Sequence, residues 1–186
     1  MNLPNKITLF RVVLIPIYLW IYLAQPLGAP ASDWVALAIF SVAAITDAID
    51  GYIARSYNLI TNFGKLMDPL ADKLLVCAAL IAFVETGNMP GWAAIVMVSR
   101  EFFISGMRQI ALEKGLVLAA SKAGKIKTIT QMTFIIYILI PMYLLPIYPG
   151  EINAAIEIVL LYAATIASVL SGIDYAVRNW SLFQQV

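Results

Sequence analysis

The sequence predicts an all-α membrane protein that crosses the bilayer six times, with one membrane domain spanning residues 1–186. Of the 186 residues, 62% are hydrophobic and only 12% are charged, and the mean hydropathy is +0.87. A soluble core of this size could not bury so many apolar side chains, whereas six apolar segments of about 20 residues would match the hydrocarbon thickness of a bilayer. We therefore expect a polytopic bundle of transmembrane helices.

Six apolar segments follow one another, separated by proline, glycine and polar residues. They cover residues 7–24, 34–53, 66–85, 91–112, 123–147 and 152–176. The first could instead be a cleaved signal peptide, but no small-residue cleavage site follows it and Pro16 interrupts it, so a retained helix fits better. Before it, Pro4 and Asn5 predict a short helix lying along the membrane interface, with Asn5 as its N-cap.

The basic residues predict the orientation of the six helices. The connections at 25–30, 86–91 and 146–150 contain no lysine or arginine, whereas the alternate connections and both ends of the chain contain them. The positive-inside rule then places both termini, and the connections after the second and fourth segments, in the cytoplasm.

The composition excludes several kinds of chemistry. Histidine is absent, so histidine metal ligands and Ser-His-Asp triads are excluded, and the single cysteine, Cys77, cannot form an internal disulfide. A net charge of +1 gives no bulk attraction to nucleic acid, and we expect no nucleic-acid partner. Carboxylates, lysine, arginine and hydroxyl groups remain as candidates.

Four aspartates lie where lipid-facing segments are expected: Asp47 and Asp50 in the second segment, Asp68 and Asp72 in the third. Spacings of three and four residues put each pair on one helical face. Because the connection between the segments is cytoplasmic, both pairs lie at the same depth and can converge. Four converging carboxylates require cations between them, and oxygen ligands without histidine or cysteine favour Mg²⁺ or Mn²⁺. The sequence predicts a site for two such ions.

Other interpretations of these residues remain open. The aspartates could cap helices or form ion pairs, for example with Arg55, or they could line a path for cations as in a transporter. Their clustering on one side of the membrane disfavours transport. Gly51, Ala54 and Gly64 would let a ligand approach the backbone, but small residues also serve helix packing in membranes.

The spacing of these residues resembles the motif of the CDP-alcohol phosphotransferase family, D-x2-D-G-x2-A-R-x8-G-x3-D-x3-D, without departure. The matching positions are Asp47, Asp50, Gly51, Ala54, Arg55, Gly64, Asp68 and Asp72. The resemblance implies transfer of a phosphatidyl group from CDP-diacylglycerol to an alcohol, with release of CMP, by a homodimer in the lipid bilayer. It implies that all four aspartates bind metal and that Asp72 also takes the proton of the attacking hydroxyl.

The same resemblance implies contacts to the CDP-diacylglycerol donor. The positions are Asn5, Thr8, Gly51, Ala54, Arg55, Thr61 and Gly64, of which Asn5 and Thr8 could equally be cap residues.

Stretches outside the motif, among them Arg100-Glu101-Phe102 and Gly124-Lys125-Ile126-Lys127-Thr128, are similar to bacterial members of the family that use glycerol 3-phosphate. They imply phosphatidylglycerophosphate as the product and a multi-pass protein of the bacterial inner (cytoplasmic) membrane with a cytoplasmic active site. Other acceptors, namely inositol phosphate, serine or phosphatidylglycerol, remain open.

A glycerol 3-phosphate acceptor would need a cationic pocket for its phosphate. The candidates are Arg100 and Arg108, eight residues apart on one helical face, and Lys125 and Lys127. Alternatively, Arg100 pairs with Glu101 or an active-site aspartate, and the lysines only set topology and contact lipid headgroups.

Overall fold

In the computed structural model, the described residues form six α-helices. The structure describes residues 3–56, 62–116, 118–119, 121–141 and 150–180, and the side chains of 3–5, 47–56, 62–69 and 72 lie outside the described part. The helices are α1 (Leu3–Ala24), α2 (Ala31–Ser56), α3 (Asn62–Glu85), α4 (Gly91–Glu113), α5 (Lys122–Leu139) and α6 (Gly150–Arg178). Across these ranges there is no β-strand, so the all-α fold class is confirmed.

The N-terminal residues differ from the prediction. Helix α1 is continuous from Leu3, so the separate interfacial helix with Asn5 as its N-cap is wrong, and Asn5 lies within the first turn. Pro4 is compatible with this because the first N–H groups of a helix have no partner inside the helix, and a proline there removes nothing.

Helix α5 is shorter than the predicted segment 123–147, since it ends at Leu139 and residues 140 and 141 are not helical. Pro141 gives the physical reason: its ring disfavours helical geometry at the preceding residue, and it has no N–H to continue the helix. The rest of the predicted segment lies outside the described residues.

Packing divides the chain into two compact units, of which the first comprises Met1–Asn88 and Leu139–Leu145. In this unit α1 packs against both α2 and α3. The fully buried Tyr18 lies between the rings of Tyr22 and Phe40, at centroid distances of 6.0 and 5.8 Å. Phe83 of α3 meets Tyr22 edge-on at 5.6 Å, so aromatic contacts join all three helices.

The short connection between α1 and α2 makes these helices antiparallel neighbours. Gln25 has a φ of 48° and Gly28 a φ of 75°, which turn the chain, and the Gln25 amide donates to the Asp33 carboxylate at 2.8 Å. As a result, the start of α1 lies at the same end of this unit as the end of α2, where Asp47 and Asp50 are placed.

The second unit comprises Met89–Ile138 and Pro146–Val186. Here α4 packs against α6, with Ile104, Met107 and Tyr175 buried together and Leu118 packed against them. Farther along the same helix pair, the rings of Trp92 and Tyr162 lie 6.1 Å apart.

Two described stretches, Lys6–Ala24 and Gly150–Arg178, are long and apolar enough to cross a membrane, and Ala31–Thr46 is a shorter apolar helix. Much of the apolar surface faces outward: Ile81, Ile95, Ile129, Val159 and Val177 are each at least 60% exposed. Since soluble monomers rarely expose so much large apolar surface, these faces are suited to contact with lipid.

Candidate functional site

The four predicted metal ligands lie on α2 and α3, and their side chains are outside the described residues. The backbone is helical through positions 47 and 50 of α2 and through 68 and 72 of α3. Each pair therefore lies within one unbroken helix, at spacings that make the two positions neighbours on its surface. Metal binding by these aspartates stays a prediction.

Most of the predicted contacts to the donor likewise have no described side chain. Gly51, Ala54 and Arg55 belong to the last turns of α2 and Gly64 to the first turn of α3, without described side chains, and Thr61 lies outside the described residues.

Two polar side chains of α1 are buried at the same end of the first unit. Thr8 is 1% exposed and Arg11, three residues later, is fully buried. Burial of an arginine is costly unless polar groups surround it. We therefore count Arg11 among the candidate site residues; in the sequence it belongs to the basic residues that indicate topology and to the N-terminal stretch that resembles the family, but it was not predicted to bind a ligand. Its spacing of three residues from Thr8 is the signal that could have identified it.

In the second unit, Arg100 of α4 is held by two neighbouring side chains. Its Nε donates to the Ser171 hydroxyl of α6 at 2.9 Å, and its Nη1 donates to Glu101 Oε1 at 3.2 Å. The ammonium group of Lys127, on α5, donates a hydrogen bond to the same carboxylate oxygen. The side chains of Arg100 and Glu101 are each 13% exposed and that of Lys127 is 5% exposed. The pairing of Arg100 with Glu101, one of the alternatives for this arginine, is thus present.

Arg108 also interacts with α6. Its Nε donates to the Tyr175 hydroxyl at 3.1 Å, and the guanidinium carbon lies 5.6 Å from the centre of the Tyr175 ring. Because Ser171 and Tyr175 are one helical turn apart, Arg100 and Arg108 project from α4 toward successive turns of α6.

Of the four predicted acceptor residues, the structure brings Arg100 and Lys127 together in a polar cluster on the Glu101 carboxylate. Arg108 contacts Tyr175 one turn farther along α6, and Arg108 and Lys125 are both exposed. The Lys125 side chain makes no hydrogen bond or ion pair within the described part of the chain, although its backbone N–H donates to the Ser121 carbonyl at 3.3 Å.

Comparison with known proteins gives the chain its family. A sequence model of the family described as CDP-alcohol phosphatidyltransferase matches residues 1–170. The chain belongs to the CDP-alcohol phosphatidyltransferase family.

Several relatives match over nearly their whole length. The chain is 42% identical to "CDP-diacylglycerol--glycerol-3-phosphate 3-phosphatidyltransferase" of Bacillus subtilis, over 96% of this chain and 95% of that protein. A protein of the same name from Haemophilus influenzae is 39% identical, over 94% and 91% of the two chains. "Probable phosphatidylglycerophosphate synthase" of Mycobacterium tuberculosis is 36% identical, over 95% and 81%.

Within this phosphatidyltransferase, further polar contacts lie at the start of α5 and near the end of α6. The backbone N–H of Gly124 donates to the Ser121 hydroxyl at 3.1 Å, so Ser121 is the N-cap of α5. On α6, the Asp174 carboxylate accepts from Arg178 at 2.6 Å. The Ser121 cap stabilises the first turn of α5, which comes directly before Lys127.

Sequence reasoning named Glu101 only as an alternative partner of Arg100, and it did not identify Ser171, Ser121 or Asp174. Glu101 lies in the middle of the predicted apolar segment 91–112 and Asp174 near the end of segment 152–176, and an acidic residue within an apolar segment is a usable signal. Serines are common in membrane helices, so nothing in the sequence alone distinguishes Ser171 from its neighbours.

The cluster offers preformed hydrogen-bond donors to an anion. Arginine presents its N–H groups in a planar fork that matches phosphate oxygens, and lysine adds a compact positive charge. The cations of Arg100 and Lys127 outnumber the single carboxylate of Glu101 that they share, so a bound phosphate would improve the charge balance.

Proposed function

We propose that this phosphatidyltransferase transfers the phosphatidyl group of CDP-diacylglycerol to glycerol 3-phosphate, giving phosphatidylglycerophosphate and CMP. The observation that carries this proposal is the 42% identity, along almost the whole chain, to a Bacillus subtilis protein named for that reaction. The product places the enzyme in phospholipid biosynthesis.

The metal site of this proposal consists of Asp47, Asp50, Asp68 and Asp72. Four carboxylates at helical spacings suit two hard divalent cations, Mg²⁺ or Mn²⁺, and the unbroken backbones of α2 and α3 support those spacings. Bound ions would neutralise the diphosphate and stabilise the departing CMP. Asp72 also accepts the proton of the acceptor hydroxyl as that oxygen attacks phosphorus.

The donor is held at the same end of the first unit. Arg55 offers a guanidinium fork to phosphate oxygens, and small residues leave room for the nucleotide near the backbone. The burial of Thr8 supports a role for α1 at this end. The proposed donor contacts are Asn5, Thr8, Gly51, Ala54, Arg55, Thr61 and Gly64.

The phosphate of the acceptor binds the cluster of the second unit. Arg100 and Lys127 are its main ligands, and Arg108 contributes positive charge one turn farther along α6. Lys125 is exposed, so its proposed part is to attract the anionic acceptor rather than to hold it.

The protein as a whole is proposed to be a single six-span domain of the bacterial inner membrane, with both termini and the active site in the cytoplasm. Two apolar helices and the outward-facing apolar side chains support membrane insertion, and the distribution of lysine and arginine supports the orientation. We also propose a homodimer, which light scattering of the purified protein tests.

Release of CMP by the purified protein tests the reaction. With Mg²⁺, CDP-diacylglycerol and glycerol 3-phosphate, the wild type should release CMP, and Asp72→Asn should lose at least a hundredfold in kcat through loss of the base. Asp33→Asn is the matched control, because Asp33 lies in the first turn of α2 and bonds Gln25. Full activity of Asp72→Asn would remove Asp72 as the base.

An acceptor panel separates the alternatives. Glycerol 3-phosphate, inositol phosphate, serine and phosphatidylglycerol are offered in turn with the same donor, and CMP release with only one of the last three would replace the proposed acceptor. Metal-dependent cation flux in liposomes, without any dependence on nucleotide, would instead indicate a transporter.

A further inference from the structure

Arg100 is held at two edges of its guanidinium and open at the third. Nε is bonded to Ser171 and Nη1 to Glu101. Nη2 makes no hydrogen bond to any side chain that the structure describes. A guanidinium fixed at two edges has one orientation, so the direction in which Nη2 points is set before any ligand arrives.

The space beside Nη2 lies next to the first turn of α5. A Cβ atom placed on Gly124 would be 3.7 Å from Nη2 and 3.6 Å from the Ser121 hydroxyl. Any larger side chain at position 124 would therefore lie against the open edge of Arg100. The glycine leaves this approach clear.

Ser171 is the residue best suited to fix that orientation. It is fully buried, its hydroxyl donates to the Ser168 carbonyl at 2.9 Å, and its oxygen accepts from Arg100. With its proton committed to a backbone carbonyl, the serine oxygen can only accept, which matches the donor Nε. Glu101 is shared with Lys127, so it is a less selective support for the arginine.

We infer that Ser171 is a positioning residue for the acceptor, which holds the Arg100 guanidinium so that Nη2 meets the acceptor phosphate past Gly124. This inference rests on the proposed function, and it adds a residue that does not itself touch substrate. Its effect is specific: it concerns affinity for a phosphate-bearing acceptor and leaves donor binding unchanged.

The test compares Ser171→Ala with Ser168→Ala. Ser168 is the matched control, since it is one turn earlier on α6, fully buried, and its hydroxyl has no hydrogen-bond partner within the described part of the chain. Ser171→Ala should raise KM for glycerol 3-phosphate about tenfold, as expected for loss of a hydrogen bond to a charged group. KM for CDP-diacylglycerol and kcat should stay within about twofold, and Ser168→Ala should match the wild type.

A double variant shows whether Ser171 acts through Arg100. Lysine lacks Nε, so in an Arg100→Lys background Ser171→Ala should cause no further rise in KM, whereas Ser171→Thr, which keeps the hydroxyl, should remain near the wild type. An effect of Ser171→Ala that persists in the lysine background, or that is reproduced by Ser168→Ala, would overturn the inference. So would equal changes in both KM values.

A calorimetric measurement of the Kd for glycerol 3-phosphate, with the purified protein, tests this inference independently of the proposed reaction. If the wild type releases no CMP, the proposed reaction fails, and the ratio of Kd values between Ser171→Ala and the wild type still decides the role of Ser171. A ratio of about ten supports that role and a ratio near one rejects it.

Discussion

The buried ion cluster of the second unit should contribute strongly to stability, in contrast to an exposed pair on the same unit. Glu101 faces Arg100 at 3.2 Å and also bonds Lys127, and all three side chains are at most 13% exposed. At an effective dielectric constant of about 20, opposite charges at that distance attract by about 5 kcal/mol before desolvation is counted. Removing the carboxylate leaves two buried cations without their counterion.

We expect Glu101→Gln to lower the free energy of unfolding by about 3 kcal/mol, at the lower end of what breaking a buried pair costs because the site retains some solvent contact. Glutamine keeps the shape and the acceptor oxygen, so the loss reports charge. When Lys127→Met is combined with Glu101→Gln, most of this loss in the free energy of unfolding should disappear, because only one buried cation then remains without a counterion.

The assay is a double-mutant cycle on unfolding by sodium dodecyl sulfate in detergent micelles, followed by circular dichroism. Arg178 and Asp174 form the comparison pair, because their contact is short, at 2.6 Å, but Arg178 is 67% exposed. We expect no measurable coupling for this pair. Equal coupling in the buried and exposed pairs, or an additive Glu101–Lys127 cycle, would refute the argument that burial sets the strength of these contacts.

Three further predictions concern neighbouring positions. Gly124→Ala should raise the free energy of unfolding by about 0.5 to 1 kcal/mol, because a Cβ fits there at ordinary contact distance, while KM for glycerol 3-phosphate rises. Tyr175→Phe should cost about 1 kcal/mol by removing the hydroxyl that Arg108 bonds, with the ring contact retained. In the first unit, Leu80→Ala should cost about 2 to 5 kcal/mol, since Leu80 is fully buried, whereas Ile81→Ala, at 60% exposure, should cost far less.

These three are measured by the same detergent unfolding curves, with KM added for Gly124→Ala. A fall in stability of Gly124→Ala would show that the first turn of α5 cannot accept a side chain. A loss in Tyr175→Phe as large as that in Tyr175→Ala would assign the contribution to the hydroxyl alone. Equal losses at Leu80 and Ile81 would contradict the packing of α3.

The helices could be predicted largely from sequence because their boundaries depend on local chemistry. Proline and glycine breaks set the ends of α1, α3 and α4 to within a few residues of the predicted segments. The errors are also local: Pro4 is tolerated in a first turn, and Pro141 ends α5 before the apolar run ends. Apolar content alone does not indicate where a helix stops.

Some residues of the proposed site can be recognised from local sequence, and others only from the tertiary structure. The spacing of Asp47, Asp50, Asp68 and Asp72 is a property of two short stretches of chain, so sequence could propose it. The contact between Arg100 and Ser171 joins residues 71 apart, and a single sequence contains no signal for which serine of α6 lies opposite the arginine. The sequence could therefore indicate Arg100 as a candidate, but it could not indicate that Ser171 holds it.

The proposed donor and acceptor residues belong to different packing units, and this has a kinetic consequence. The residues proposed to hold metal and CDP-diacylglycerol all lie before Asn88, and those proposed to hold the acceptor phosphate all lie between Met89 and Ile138. Effects of substitutions that share no partner usually add. Combining Arg55→Ala with Ser171→Ala should therefore lower kcat/KM for glycerol 3-phosphate by the product of the two single-variant factors, with all variants measured at the same concentration of CDP-diacylglycerol. A large departure from that product would mean that the two sets of residues act on one bound group, and the assignment of separate donor and acceptor contacts would then be wrong.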